Sequence, residues 1–162
     1  MFTPRRGEAQ QVEIVTDDLS DPRIVAFLEA HVRQLRSLSP PESVHALDLD
    51  ALRAPGISFS SVHDGDALVG CGALKRLDDR HAELKSMRTD TARRRSGIAS
   101  LLLGHIIAEA RGTGFARLSL ETGSEEFFRP ARSLYARFGF EPCPPFADYR
   151  PDPNSTFMTL LL

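Results

Sequence analysis

The stretch Thr89–Ala99, TDTARRRSGIA, decides how this chain is read. It leaves a run of strand character and enters GIASLLLGHIIAEAR, Gly97–Arg111, the strongest helical pattern in the sequence. A strand–loop–helix junction leaves unpaired backbone N–H groups at the helix start. The helix dipole adds partial positive charge at the same point. Together they suit an anion such as a pyrophosphate. Gly97, lacking a Cβ, lets a phosphate approach the backbone, and Ala99 keeps the next point of approach small. Arg94 and Arg95 can add charge-assisted hydrogen bonds. On loop chemistry alone, a solvated basic loop accounts for the arginines equally well. The spacing is neither GxGxxG nor GxxxxGK[ST], which disfavours dinucleotide and P-loop nucleotide sites.

Working outward, Ala82–Thr89 reads as the strand before this loop and Arg117–Glu121 as the strand after the helix, with Leu118 and Leu120 on one face. Strand, helix, strand makes a right-handed crossover with parallel pairing. Within the helix Ile98, Leu101, Leu102, His105, Ile106 and Glu109 follow helical spacing, the apolar members on one side, and Gly112 and Gly114 end it. Upstream, Gln11–Thr16 is a first strand. A helix opens at Asp21-Pro22, carries Ile24, Phe27, Leu28, His31 and Leu35 on one stripe, and stops before Pro40-Pro41. Ser43–Arg53 makes a short helical turn. Ile57–Val62 and Ala67–Arg76 are strands joined at Asp64-Gly65, and a turn at Asp78–Arg80 follows. Downstream, Arg129–Phe138 is a helix ended by Gly139, and Thr156–Leu162 closes the chain as a strand. The class is α+β: a mixed, mostly antiparallel twisted sheet of six to seven strands flanked by about four helices, with a central β-α-β crossover.

A length of 162 residues suits one domain over 1–162, with 1–10 a loosely ordered polar start. The net charge of -2 supplies no global field toward nucleic acid or an anionic membrane, so any anion site is local. A nucleic-acid module built on Arg93–Arg95 is also disfavoured, because no aromatic–basic surface interleaves with it. Cys71 and Cys143 form no CxxC pair, so neither a zinc site nor a disulfide framework is expected, and both read as free thiols. No apolar run reaches 18 residues and the first ten lack a signal-peptide stretch, so a reducing cytoplasm is the expected compartment.

Arg94-Arg95-Ser96-Gly97-Ile98-Ala99 resembles the R/Q-x-x-G-x-G/A motif of the GNAT acetyltransferase superfamily. Glu83–Thr89, ELKSMRT, looks like that family's fourth strand, and Leu134–Phe140, LYARFGF, is similar to its L-Y-x-x-x-G-F segment. SPPESVHALDLDALR, GCGALKRLD, LSLETGS and DYRPDPNS are similar to a bacterial branch of small-molecule acetyltransferases. The resemblance implies an N-acetyltransferase that uses acetyl-CoA as cosubstrate, no metal, and a small-molecule or peptide amine as acceptor. A non-catalytic acyl-CoA-binding sensor is the alternative, and a homodimer is the assembly expected of the fold. One departure stands out: where the family often carries Asn six residues before the Leu of L-Y, this chain has Phe128, so that cofactor contact is not carried over.

The resemblance also assigns roles. Arg94, Arg95, Ser96, Gly97, Ile98 and Ala99 would hold the pyrophosphate. A bulge in the strand Glu83–Thr89 would splay it from its neighbour. The backbone at Met87, Arg88 and Thr89 would then pair with the pantetheine arm and polarise the thioester carbonyl. Tyr135 would protonate the departing thiolate, or else be a core tyrosine bonded to backbone. Glu83 would take the amine's proton directly or through water, or else be an exposed strand carboxylate paired with Lys85. Glu121 is the competing carboxylate. His45, Tyr149 and Arg150 are candidate acceptor contacts, with Arg150 suited to a carboxylate. The loop Phe146–Ser155 either walls that site or is a rigid surface loop. His105 reads as structural and His81 as a turn residue.

Overall fold

A computed structural model describes residues 12–41, 49–90 and 97–162. Seven strands form one sheet in the order β1-β2-β3-β4-β5-β7-β6: β1 Val12–Asp17, β2 Ile57–Asp64, β3 Ala67–Arg76, β4 His81–Thr89, β5 Arg117–Gly123, β6 Glu141–Pro142 and β7 Ser155–Leu161. β1 to β4 are an antiparallel meander. The β4–β5 pair is parallel, as the crossover through α3 (Ile98–Thr113) requires, and β5, β7 and β6 return antiparallel.

α1, Pro22–Leu38, starts as its sequence signals predict. The Asp21 side chain accepts from the Arg23 N–H and Pro22 occupies the first turn. α1 and the short α2, Leu49–Leu52, cover one face of the sheet through Ile24, Leu28 and Leu52, joined by Leu19 of the loop before α1, against Phe59, Cys71 and Ala73. α3 and α4, Arg129–Arg137, cover the other face against Val62, Val69, Leu74, Leu84, Leu118 and Leu120. The call-out positions of the sheet follow its two-residue period, so Leu84 and Leu120 face α3 while Glu83, Lys85 and Glu121 face α1.

The element boundaries move slightly from the sequence reading. α3 runs through Gly112 to Thr113, and Gly114, at φ 100°, caps it. A 3₁₀ turn at Glu126–Phe128 precedes α4. His81 is not in a turn: it is the first residue of β4, and its Nε2 lies 2.6 Å from Ser119 Oγ. The buried stripe of α3 is Ile98, Leu102, Leu103, Ile106, Ile107 and Ala110. Leu101 was expected on that stripe, yet it is 49% exposed, because a helix buried along a broad arc takes the 102/103 and 106/107 pairs and turns 101 outward. His105 is exposed as well. Leu102→Ala should therefore cost about 2–5 kcal/mol, whereas Leu101→Ala should stay within about 0.5 kcal/mol. Urea melts of the two variants check this, and equal losses would contradict the assigned face.

Candidate active site

The site begins with one irregularity in β4. Ala73 pairs with Lys85 and Cys71 with Arg88, so Ser86 and Met87 together oppose the single residue Gly72. This is a β-bulge, as the strand's role demanded. Ser86 sits at φ 55°, and the Cys71 thiol donates to its carbonyl at 3.4 Å from beneath. Gly72 has no side chain for a reason of space: a Cβ there would lie 2.8 Å from Ile106 Cδ1 of α3.

A bulge bends its strand and increases local twist. Accordingly β4 and β5 pair only from His81↔Arg117 to Leu84↔Leu120, although β4 continues to Thr89 and β5 to Gly123. Past Leu84 the strands separate and a cavity of about 130 Å³ passes between them. At roughly 30 Å³ per water that is room for about four waters. On the α4 side it is lined by Tyr135, Ala131 and Phe128, and on the α1 side by His31, Glu83, Lys85, Glu121 and Tyr149.

Glu83 is 2% exposed, which removes the exposed-carboxylate alternative. Its Oε2 accepts from the Tyr149 hydroxyl at 2.5 Å and from Lys85 Nζ at 3.4 Å, and Lys85 also donates to the Tyr149 oxygen at 2.8 Å. Burial lowers the Lys85 pKa, opposed by Glu83. Burial raises that of Tyr149, and the Glu83 charge adds to the rise, so the phenol stays protonated. The position of Tyr149 is set by ring contacts with Phe146 and Phe157, at centroid separations of 5.1 and 5.5 Å. The loop Phe146–Ser155 thus walls the cavity through Tyr149 and Asn154. Arg150 is exposed and outside the cavity wall.

Glu121 lies past the last β4–β5 pair. Burial pushes its carboxyl up to about 7, against the Ser155 hydroxyl and Lys85, with Glu83 and Asp152 adding like charge. Tyr135, across the gap, is buried, and its pKa is raised by that burial and then by Glu121. Its ring packs edge-on to Phe140 at 5.7 Å, so it is both a core residue and part of the cavity wall.

Of the expected cofactor contacts, Met87 lines the cavity. The Arg88 side chain turns to α1 instead: it lies over Phe27 at 5.3 Å and donates to Gln34 Oε1 at 2.9 Å and to His31 Nδ1 at 3.3 Å. Only the main chain of Arg88 remains toward the gap. Thr89 pairs with Gly70 in the ladder. Arg94, Arg95, Ser96 and His45 lie outside the described residues. Gly97 adopts φ 84°, offers no side-chain cap to α3, and among the described residues has no atom within 4 Å of where a Cβ would stand. Ile98 and Ala99 lie in the first turn of α3. These features fit a pyrophosphate at α3 and an extended arm along β4. Phe128, in place of the family's Asn, fills the space that a side chain at Gly123 would take.

His31 was read only as part of the α1 stripe, and the structure adds it to the cavity. A polar residue inside an apolar stripe is the signal that could have found it. Because arginine only donates, the bond from Arg88 makes Nδ1 the acceptor and puts the ring proton on Nε2.

The acetyltransferase (GNAT) family model matches residues 20–140. The chain belongs to that family. It is 54% identical over 148 residues to YsnE, an uncharacterized N-acetyltransferase of Bacillus subtilis, covering 91% of this chain and 98% of that one. It is 50% identical over 149 residues to YedL, an uncharacterized N-acetyltransferase of Escherichia coli, covering 92% and 94%. A crystal structure of a GNAT family acetyltransferase from Elizabethkingia anophelis with acetyl-CoA bound matches 94% of this chain and 99% of its own at TM-score 0.66 and 15% identity, a likeness of fold. The GNAT assignment makes the protein an acetyltransferase and sets aside the binding-only alternative.

His31 gives a pH test of this GNAT cavity. Burial, then repulsion from Arg88, lowers its pKa from 6.5 to about 4. Between those values the unfolded chain binds more protons, so the contribution of neutral His31 is complete above pH 6.5 and is lost as pH falls toward 4. His31→Gln, which keeps an acceptor for Arg88, should lose roughly 2 kcal/mol less than wild type between pH 7 and 4.5. Denaturant melts at the two pH values would show equal losses if His31 were already charged.

Proposed function

We propose that the enzyme transfers the acetyl group of acetyl-CoA to a primary amine of a small molecule by direct attack. The observation that carries this reading is the slot between β4 and β5, lined by Tyr135, Ala131 and Phe128 on the α4 side and by His31, Glu121 and Tyr149 on the α1 side. Acetyl-CoA, when bound, supplies the activated acyl thioester. Ile98 and Ala99, in the first turn of α3, offer N–H groups to the pyrophosphate, and Arg94, Arg95 and Ser96 stand just before them in sequence. Main-chain groups of β4 from Met87 to Thr89 line up the arm, and an N–H near Met87 polarises the carbonyl.

Tyr135 keeps its proton by burial and holds it on the α4 side of the slot, where a leaving thiolate would take it. The α1 side receives the acceptor, between His31, Tyr149 and the carboxylates. Glu83, the base suggested by its strand position, has its Oε2 filled by Tyr149 and Lys85, and so serves to position both. Residues 1–162 act as a single domain in this reading. Two free thiols support a reducing cytoplasm as its compartment. The homodimer expected of the fold is its assembly.

Calorimetry with acetyl-CoA and a free-thiol assay with an amine panel test the whole reading. Gly97→Ala should fold, with roughly 1 kcal/mol lost to the left-handed φ, and should bind acetyl-CoA at least about tenfold more weakly, a loss of about 1.4 kcal/mol. Undiminished affinity would remove the α3 start from the site. Tyr135→Phe should lower kcat roughly 100-fold with acetyl-CoA affinity unchanged. An unaltered kcat would return Tyr135 to a purely packing role.

A further inference from the structure

We propose that the chain acetylates itself, and that Nζ of Lys85 is the modification site. This rests on the acetyl-transfer reading above and adds to it an acceptor built into the cavity wall.

Side-chain amines are scarce in this molecule. Eighteen of its 20 Lys and Arg residues are arginines, and the two lysines are Lys75 and Lys85. A guanidinium stays charged and has no electron pair to offer a thioester. Lys75 pairs with Ile57 of β2 and Glu83 of β4 and is outside the cavity wall. Lys85 is in the wall, with its side chain 8% exposed. It is the first residue of β4 past the last pair with β5, and it stands immediately before the bulged pair Ser86 and Met87. Two steps along a strand cover about 6.6 Å. The flexible four-carbon stem of lysine spans that distance to Met87, whose main chain the reading above gives to the thioester carbonyl.

The contacts of Lys85 leave it able to react. Its Nζ donates to the Tyr149 oxygen at 2.8 Å, and its ionic contact with Glu83 Oε2 is the longer one, at 3.4 Å. Tyr149 holds that same carboxylate oxygen at 2.5 Å. Burial lowers the Lys85 pKa, as it does for lysines that serve as nucleophiles. The same burial shields Nζ from acyl donors in bulk solution, so only an acyl group held in the slot reaches it.

The ammonium of Lys85 gives one proton to water, which leaves an electron pair on Nζ. That pair forms the N–C bond to the acetyl carbon, and the C–S bond to coenzyme A breaks. A second proton leaves the nitrogen as the amide forms and ends on the departing thiolate. The products are acetyl-lysine and coenzyme A with a free thiol. The amide is neutral, so Glu83 loses its cation and keeps Tyr149 as donor. The new acetyl group stands in the space read above as the acceptor's, and the chain stops after one transfer.

The test incubates the full chain with acetyl-CoA and no added amine, with peptide mass mapping, a free-thiol assay and calorimetry of acetyl-CoA binding. Lys85 should be acetylated tenfold or more faster than Lys75, at a rate independent of chain concentration, and thiol release should stop at about one per chain. Excess coenzyme A should slow labelling of Lys85 tenfold or more and leave that of Lys75 unchanged. Acetyl phosphate, which modifies accessible amines without the slot, should favour Lys75 instead. Lys75→Arg should keep the modification, and Lys85→Arg should lose it with acetyl-CoA still bound. Labelling of Lys85 no faster than Lys75, a rate that rises with chain concentration, indifference to excess coenzyme A, or an unmodified Lys85 in wild type that binds acetyl-CoA would overturn the proposal. Failure of wild type to bind acetyl-CoA would instead overturn the reading beneath it.

Discussion

The site depends on the two-against-one pairing of Ser86 and Met87 with Gly72. Ladder hydrogen bonds normally hold neighbouring strands about 4.8 Å apart along their whole length. Only a residue left out of the count lets β4 lean away from β5 without breaking its ladder with β3. The left-handed backbone at Ser86 costs on the order of 1–3 kcal/mol, and it persists because its surroundings leave it no alternative. The thiol of Cys71 donates to the Ser86 carbonyl, and Ile106 of α3 occupies the space that a side chain at Gly72 would take. The helix whose first turn holds Ile98 and Ala99 is therefore the same one that packs over the bulge at its middle through Ile106.

Once the strands part, the period of the sheet distributes the chemistry. Leu84 and Leu120 are the last paired residues and belong to the α3 core, so the slot starts at an apolar floor. Residues one position away point to the α1 side, and there the polar groups collect. The late loop completes that side through an aromatic cluster rather than through secondary structure: Phe146, Tyr149 and Phe157 pack edge to face, which puts the Tyr149 hydroxyl on Glu83. A rigid side chain carries the hydrogen bond, so a loop without regular structure still places an oxygen to within bonding distance.

Much of this was legible in the sequence, because it rests on local signals. Asp21-Pro22 marks the start of α1, the turn at Asp64-Gly65 joins β2 to β3, and Gly97–Arg111 announces α3 within two residues of its observed end. What escaped depends on contacts between distant segments. Glu83 and Tyr149 are 66 residues apart, and nothing near either one says that they meet. Neighbouring Tyr149 and Arg150 looked equally suited to the acceptor, and only the packing of one ring separated them. His31 stood in an apolar stripe and was counted with it. Leu101 obeyed helical spacing as well as Leu102 did, and only the breadth of the buried arc told them apart.

The ionisable groups of the α1 side have to be understood as a set. Two carboxyls and one lysine are largely buried side by side, and each charge is worth more there than in solution. Lys85 can neutralise one carboxylate at short range, and Tyr149 joins it on Glu83, where the geometry is closed. The second carboxyl then bears the whole desolvation penalty, and a proton is the cheapest way to remove it. The resting cavity is thereby close to neutral, with Glu83 and Lys85 as a fixed pair and Glu121 as the variable member. A cation arriving from solution alters that balance directly, since it stabilises ionised Glu121 just where a neutral visitor would not.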